Sequence, residues 1–270
     1  MTQVVITGST RGIGFGLADA FLARGCQVTI NGRTAESVAP ATAALAHKHG
    51  PQRLLGQPGR VENLAEVEAL WAAAQERFGP IDIWINNAGI AHTVKPIWEL
   101  PPDTVAALVQ ANTLGALYGA RVAVRGMLAQ GHGHFYNMEG FGSNGSYRYG
   151  QSLYGMSKYA LHYLTQALVM ETKGTPVKVS AISPGMVITD LLTGAFDDDP
   201  AGLESAKRIF NILADKTETV SPWLADKILA NDRTGSTINW LTRRKILWRF
   251  LSAPFSKRDL FAVPAGDAQP

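Results

Sequence analysis

The sequence predicts a three-layer α/β sandwich with a mostly parallel sheet of about seven strands. Three observations carry that expectation. Strand-like and helix-like segments alternate along most of the chain, a glycine-rich turn follows the first strand, and no linker divides the 270 residues into two cores. At 29.0 kDa the chain is long enough for one sizeable core. Its 46% hydrophobic and 17% charged residues exclude a mainly disordered protein.

Gln3 to Thr7 reads as a short apolar strand, Gly14 to Arg24 as a helix and Gln27 to Asn31 as the second strand. An Ala-rich helix from Ser37 to His49 leads to a strand at Arg53 to Gln57, a helix over Glu62 to Phe78 and a buried strand at Ile81 to Asn86. Helical material from Pro102 to Gln130 precedes a strand at His134 to Asn137. Tyr154 to Thr172 is helical, and Val177 to Ser183 and Thr234 to Trp240 complete the sheet. Asp190 to Ser221 is an excursion large enough to cover a substrate pocket. One domain is expected over 1–242, followed by a basic, partly amphipathic extension over 243–270.

Composition narrows the function classes. Cys26 is the single cysteine, so an intrachain disulfide is excluded and no metal site is expected. His132 and His134 lack a convincing third ligand, Asp197, Asp198 and Asp199 read as a solvated loop, Asp82 reads as structural, and GxSxG is absent. A net charge of +3 without a recognition motif argues against nucleic acid. No run is long enough for a membrane span, and the start lacks a secretory signal's pattern, so the cytoplasm is the expected compartment.

The strongest chemical signal is Thr7-Gly8-Ser9-Thr10-Arg11-Gly12-Ile13-Gly14, placed between a strand and a helix. Gly8, Gly12 and Gly14 permit a tight turn, close phosphate approach and close helix packing, while the helix start offers free N–H groups to negative charge. The spacing resembles the TGxxxGxG signature of the short-chain dehydrogenase/reductase family, whose fold is Rossmann-like. Asn86-Asn87-Ala88-Gly89 resembles the family's NNAG segment, Tyr154 and Lys158 its YxxxK pair, and Ser183-Pro184-Gly185 its PG segment. Asn112 matches the family's catalytic asparagine and Thr189 its carboxamide-contacting threonine. The resemblance implies an NADP(H)-dependent or NAD(H)-dependent oxidoreductase, with cofactor contacts from Thr10, Ile13, Asn87, Ala88, Gly89, Pro184, Gly185, Val187 and Thr189. Tyr154 and Lys158, four residues apart, share a helix face. A nearby ammonium favours tyrosinate, so Tyr154 can exchange a proton with a carbonyl or alcohol oxygen.

Two departures stand out. Where many relatives carry the catalytic serine, thirteen residues before the tyrosine, this chain has Phe141. Ser143 is the leading replacement, with Ser146 or no serine left open. The second strand ends Asn31-Gly32-Arg33 without the acid that receives adenosine-ribose hydroxyls in NAD-preferring folds. Arg33 and Arg11 can meet a 2′-phosphate, which favours NADP(H). Arg60 replaces a common acid before Val61, whose backbone can still help hold adenine.

Within the family, the segments around Ser143, Tyr154 and Thr189 and the late Ile238-Asn239-Trp240-Leu241-Thr242 look most like the chlorophyll b reductase branch. That implies reduction of a 7-formyl group to 7-hydroxymethyl, and Met186, Val187, Ile188, Leu191, Leu192, Phe196 and Phe210 offer an apolar lining. A small-carbonyl reductase or alcohol dehydrogenase, and a cofactor-binding regulatory or scaffold protein, remain open. Ile246, Leu247, Trp248, Phe250 and Leu251 mix with Arg243, Arg244, Lys245 and Arg249, which suits docking on the main domain, a homodimer or homotetramer contact, or peripheral membrane contact.

Overall fold

The chain opens with β1 (Gln3–Ile6), α1 (Gly12–Ala23), β2 (Gln27–Gly32), α2 (Ala35–His49), β3 (Leu54–Pro58), α3 (Leu64–Phe78) and β4 (Ile83–Asn86) in the computed structural model, which describes residues 1–256 and 258–261. There follow α4 (Pro102–Leu108), α5 (Gly115–Gln130), β5 (Gly133–Met138), α6 (Ser152–Glu171) and β6 (Val177–Ser183). Then come β7 (Val187–Ile188), α7 (Asp190–Thr193), α8 (Pro200–Leu213), β8 (Asp215–Lys216), α9 (Thr217–Leu229), β9 (Thr237–Asn239) and α10 (Arg243–Ser252).

Seven strands form the main sheet in the order β3-β2-β1-β4-β5-β6-β9, every pair parallel. A parallel sheet is buried on both faces, and the strands show it by period-two partition. Val4 and Ile6 of β1, Ile83 and Ile85 of β4, and Tyr136 and Met138 of β5 join the layer containing Leu17, Phe21, Leu224 and Ile228 of α1 and α9. Val5, Trp84 and Phe135, on the opposite face of the same strands, join Leu70, Trp71, Ala123 and Met127 of α3 and α5. Chain order reverses between β1 and β4. In an open α/β sheet the crevice beyond the carboxyl ends at that point is where ligands bind.

The predicted helix over Pro102 to Gln130 is interrupted by a π turn at Val109–Leu114. The last strand is shorter than predicted because only Ala181, Ile182 and Ser183 of β6 offer it partners. The excursion folds as a lid: β7 pairs with β8, and Phe196 and Phe210 pack with Met186, Leu192 and Phe261. Of the C-terminal extension, 257 and 262–270 lie outside the described residues. Among the described residues no helix is long and apolar enough to cross a membrane, and no three His, Cys, Asp or Glu side chains converge on a metal site.

Candidate active site

The turns after β1 and β4 interlock. A Cβ on Gly8 would lie 2.6 Å from Ala88 Cα, and one on Gly14 would lie 2.5 Å from Asn87 Nδ2, so both positions require glycine. Asn87 Nδ2 donates to the Thr7 and Gly8 carbonyls at 2.9 and 2.8 Å, and Thr7 Oγ1 accepts from the Asn87 and Ala88 amides. Asn31 ties in the neighbouring loop: its amide nitrogen donates to the Gln57 and Gly59 carbonyls and its oxygen accepts from Gly8 N–H. The N-terminus of α1, with no acid in its first turn, faces the resulting groove.

That groove is one end of a continuous cavity of about 720 Å³. Gly8, Thr10, Arg11, Gly12, Ile13, Gly14, Asn31, Arg33 and Val61 line this end; Asn87, Ala88, Gly89, Pro184, Gly185, Val187 and Thr189 line the middle. Arg33 is exposed at the rim, while Arg11 reaches Asp190 of α7 across the cleft at 3.3 Å. The far end contains Tyr154, Lys158, Gly140 and Phe141 beneath Met186, Leu191, Leu192, Phe196 and Phe210 of the lid.

Helix α6 presents Tyr154 and Lys158 one turn apart. Lys158 is buried, and its Nζ donates to the Met138 carbonyl at 3.0 Å. Burial pushes the Tyr154 hydroxyl up to about 12 and the Lys158 ammonium down to about 8, the latter opposed by the charge of Glu139. Asn112, in the π turn, lies behind the cavity wall. Its carboxamide accepts from the Ile90 amide at 2.8 Å and donates to the Ile90 carbonyl at 2.9 Å and to Ser157 Oγ at 3.2 Å. It thereby fixes the backbone beside Gly89, where a Cβ would lie 3.8 Å from Lys158 Nζ.

Ser143 departs from expectation. It is buried in the turn after β5, its amide bonded to the Gly140 carbonyl, and it is not among the residues lining the cavity. Gly142, at φ +94°, lets this turn press on α6, where a Cβ would fall 2.5 Å from Gly155 Cα. Ser146 is exposed. The position beside the tyrosine hydroxyl belongs to Gly140, where a Cβ would lie 2.9 Å from Tyr154 Oη. Ser143→Ala is accordingly expected to lower turnover far less than the roughly 100-fold or more that loss of an oxyanion donor costs. Steady-state kinetics with saturating cofactor and a carbonyl substrate checks this.

Glu139 belongs to none of the sequence motifs. It directly follows β5 at the cavity wall, 6% exposed, and its Oε1 lies 2.8 Å from His162 Nδ1. His162 is the next residue along the Tyr154–Lys158 face of α6. The only signal in the sequence was an acid directly after a buried strand.

Residues 2–200 match the family described as short chain dehydrogenase. The chain belongs to that family. This short chain dehydrogenase is 38% identical over 239 residues to chlorophyll(ide) b reductase NOL, chloroplastic, of Arabidopsis thaliana, covering 87% of the chain and 67% of the relative. It is 35% identical over 267 residues to probable chlorophyll(ide) b reductase NYC1, chloroplastic, of Oryza sativa subsp. japonica, covering 93% and 52%. The chain thus spans from about two thirds to about half the length of these relatives. Among solved structures, the closed form of serine dehydrogenase complexed with NADP+ has a TM-score of 0.77 at 25% identity, covering 89% of this chain and 95% of that one. The short chain dehydrogenase is an oxidoreductase, and its site passes a test of fit for the family's dinucleotide. Glycines let the turns after β1 and β4 close on one another at the head of the groove, the start of α1 faces it without an acid in its first turn, and the groove leads without a break to Tyr154 and Lys158.

Proposed function

We propose that this oxidoreductase uses NADPH to reduce a bulky hydrophobic carbonyl, and that its substrate is the 7-formyl group of a chlorophyll(ide) b-type pigment, converted to 7-hydroxymethyl. The observation that carries the proposal is the continuity of one cavity, from a cationic dinucleotide groove through the Tyr154–Lys158 pair to an apolar lid. The reductases at 38% and 35% identity support the pigment class.

Arg33 receives the 2′-phosphate, and Asn31, lacking negative charge, does not repel it. Arg11 shares its cation between that region and Asp190. NADPH is expected to bind more tightly than NADH, and Arg33→Ala to weaken NADPH by about tenfold or more while changing NADH little. Direct titration with both reduced cofactors measures this; equal affinities in the parent protein would remove the assignment.

When bound, the nicotinamide supplies the hydride that reaches the carbonyl carbon. Tyr154 holds the proton that passes to the carbonyl oxygen. The Lys158 ammonium stabilises the tyrosinate left behind and binds the nicotinamide ribose, as in the family. Phe141, Leu192, Phe196 and Phe210 exclude water from the reacting face. Asn112 positions the Ile90 segment against Lys158.

Glu139 gives the site a pH signature. Its negative charge favours the Lys158 ammonium, against the burial that lowers it. Glu139→Gln removes that support, so Lys158 loses its proton at lower pH. Reduction requires the protonated pair, and its alkaline limb is expected to move to lower pH, with Glu139→Asp restoring it in part. A pH–turnover profile reads the shift. A uniform fall at every pH, without displacement of the limb, would make Glu139 merely structural.

The outward face of α6 bears exposed Met156, Tyr159, Tyr163 and Met170, and α5 adds Leu117 and Leu128. These faces support a homodimer, with light scattering as the test.

A further inference from the structure

Helix α10 is held to the lid by one face. Arg249 Nη2 donates to both Asp215 carboxylate oxygens at 2.9 and 2.7 Å, and its Nη1 donates to the Leu213 carbonyl; Arg258 reaches Asp215 at 2.8 Å and the Ala214 carbonyl at 2.7 Å. Trp240 Nε1 completes the cluster, donating to Asp215 at 2.6 Å. With that face fixed, the opposite one is presented outward. Arg244, Leu247, Trp248 and Leu251 recur at helical spacing, and Phe255 continues the stripe in the next turn. Leu247, Trp248, Leu251 and Phe255 are 62%, 70%, 62% and 89% exposed. Isolated surface apolar residues are ordinary, but a contiguous stripe of this kind marks an interaction site.

Charge identifies the partner. Arg243, Arg244 and Lys245 occupy the first turn of α10, where the helix dipole already disfavours cations and no acid offsets them. Among the described residues neither Arg243 nor Arg244 has an ion-pair partner. Burial, then neighbouring Arg249, lowers the pKa of Lys245 to about 8, with Asp215 opposing the shift. Protein–protein interfaces also favour Arg and Trp but are depleted of Lys, so the block of three successive cations without an acid, set at one end of the apolar stripe, is what points to a surface that is anionic outside and apolar beneath.

We propose that the exposed face of α10 docks this protein on an anionic lipid surface, with Trp248, Leu247, Leu251 and Phe255 entering the acyl boundary and Arg243 and Arg244 meeting headgroup phosphates. The docking stands independently of the pigment assignment.

Flotation of the whole protein with vesicles of phosphatidylcholine, alone or mixed with phosphatidylglycerol, tests it. Binding is expected to be at least about tenfold stronger to the anionic vesicles and to weaken with salt, each of Arg243→Gln and Arg244→Gln costing about fivefold. Trp248→Ser with Leu251→Ser is expected to abolish flotation while melting temperature, mass by light scattering and turnover of a soluble carbonyl stay unchanged. Failure to float, or equal binding to both vesicle types, would overturn the proposal. A fall in mass in the Trp248→Ser, Leu251→Ser protein would assign the stripe to a second copy of the chain instead.

Discussion

Tyr154→Phe is expected to lower carbonyl reduction by about 100-fold or more while leaving the fold and NADPH affinity nearly intact. The substitution removes one oxygen from a half-buried ring whose hydroxyl faces the cavity and makes no hydrogen bond among the described residues, so little packing or pairing is lost. What disappears is the proton delivered to the carbonyl oxygen. The neutral hydroxyl is the resting form because burial raises its pKa to about 12, and Lys158 becomes important as the proton leaves. Stopped-flow hydride transfer and steady-state turnover, measured on folded protein, should fall together. Wild-type rates in both would take Tyr154 out of the chemistry.

Asp215→Asn is expected to have the largest effect on stability, about 3 kcal/mol. Asp215 is 5% exposed and receives Arg249, Arg258 and Trp240, binding the lid, the segment after β9 and α10 at one carboxylate. Without its charge two guanidinium groups remain close together with no anion between them. Because Arg258 is about one third exposed, water offsets part of that cost. Denaturant melts of parent and variant measure the difference. A change below about 0.5 kcal/mol, the range of ordinary surface substitutions, would show that the cluster does not hold the extension in place.

The sheet was legible because each strand is a short apolar run ended by Gly, Pro or Asn, and each intervening helix is long enough to cross back over it. The two-residue strands β7 and β8 were not, since two residues carry no period. The π turn at Asn112 was equally invisible, as it differs from its flanking helices in hydrogen bonding rather than composition. Within the site, the glycine turn, the Asn87 segment and the Tyr154–Lys158 pair announced themselves by spacing. The serine question did not yield to counting. Counting back from Tyr154 points to Phe141, whereas position beside the tyrosine is set by the end of β5 and by the path of the turn, and it falls on Gly140. Asn31 stands where an NAD-preferring fold carries an acid and it lines the groove, but its second role was not legible: a carboxamide both donates and accepts, and the fold uses both capacities to join three loops. Glu139 and His162 are far apart in sequence, and only the packing of α6 on β5 brings them together.

Transfer of isotopic hydride decides whether the protein reduces a 7-formyl pigment. The protein is incubated with chlorophyllide b, which keeps the reacting formyl group without the phytyl tail, and with NADPH deuterated at the transferable position. The product should gain one deuterium, located at the 7-hydroxymethyl carbon, together with one solvent proton on oxygen. No deuterium in the pigment, in aqueous or detergent solution, while the same preparation reduces another carbonyl, would contradict the pigment assignment.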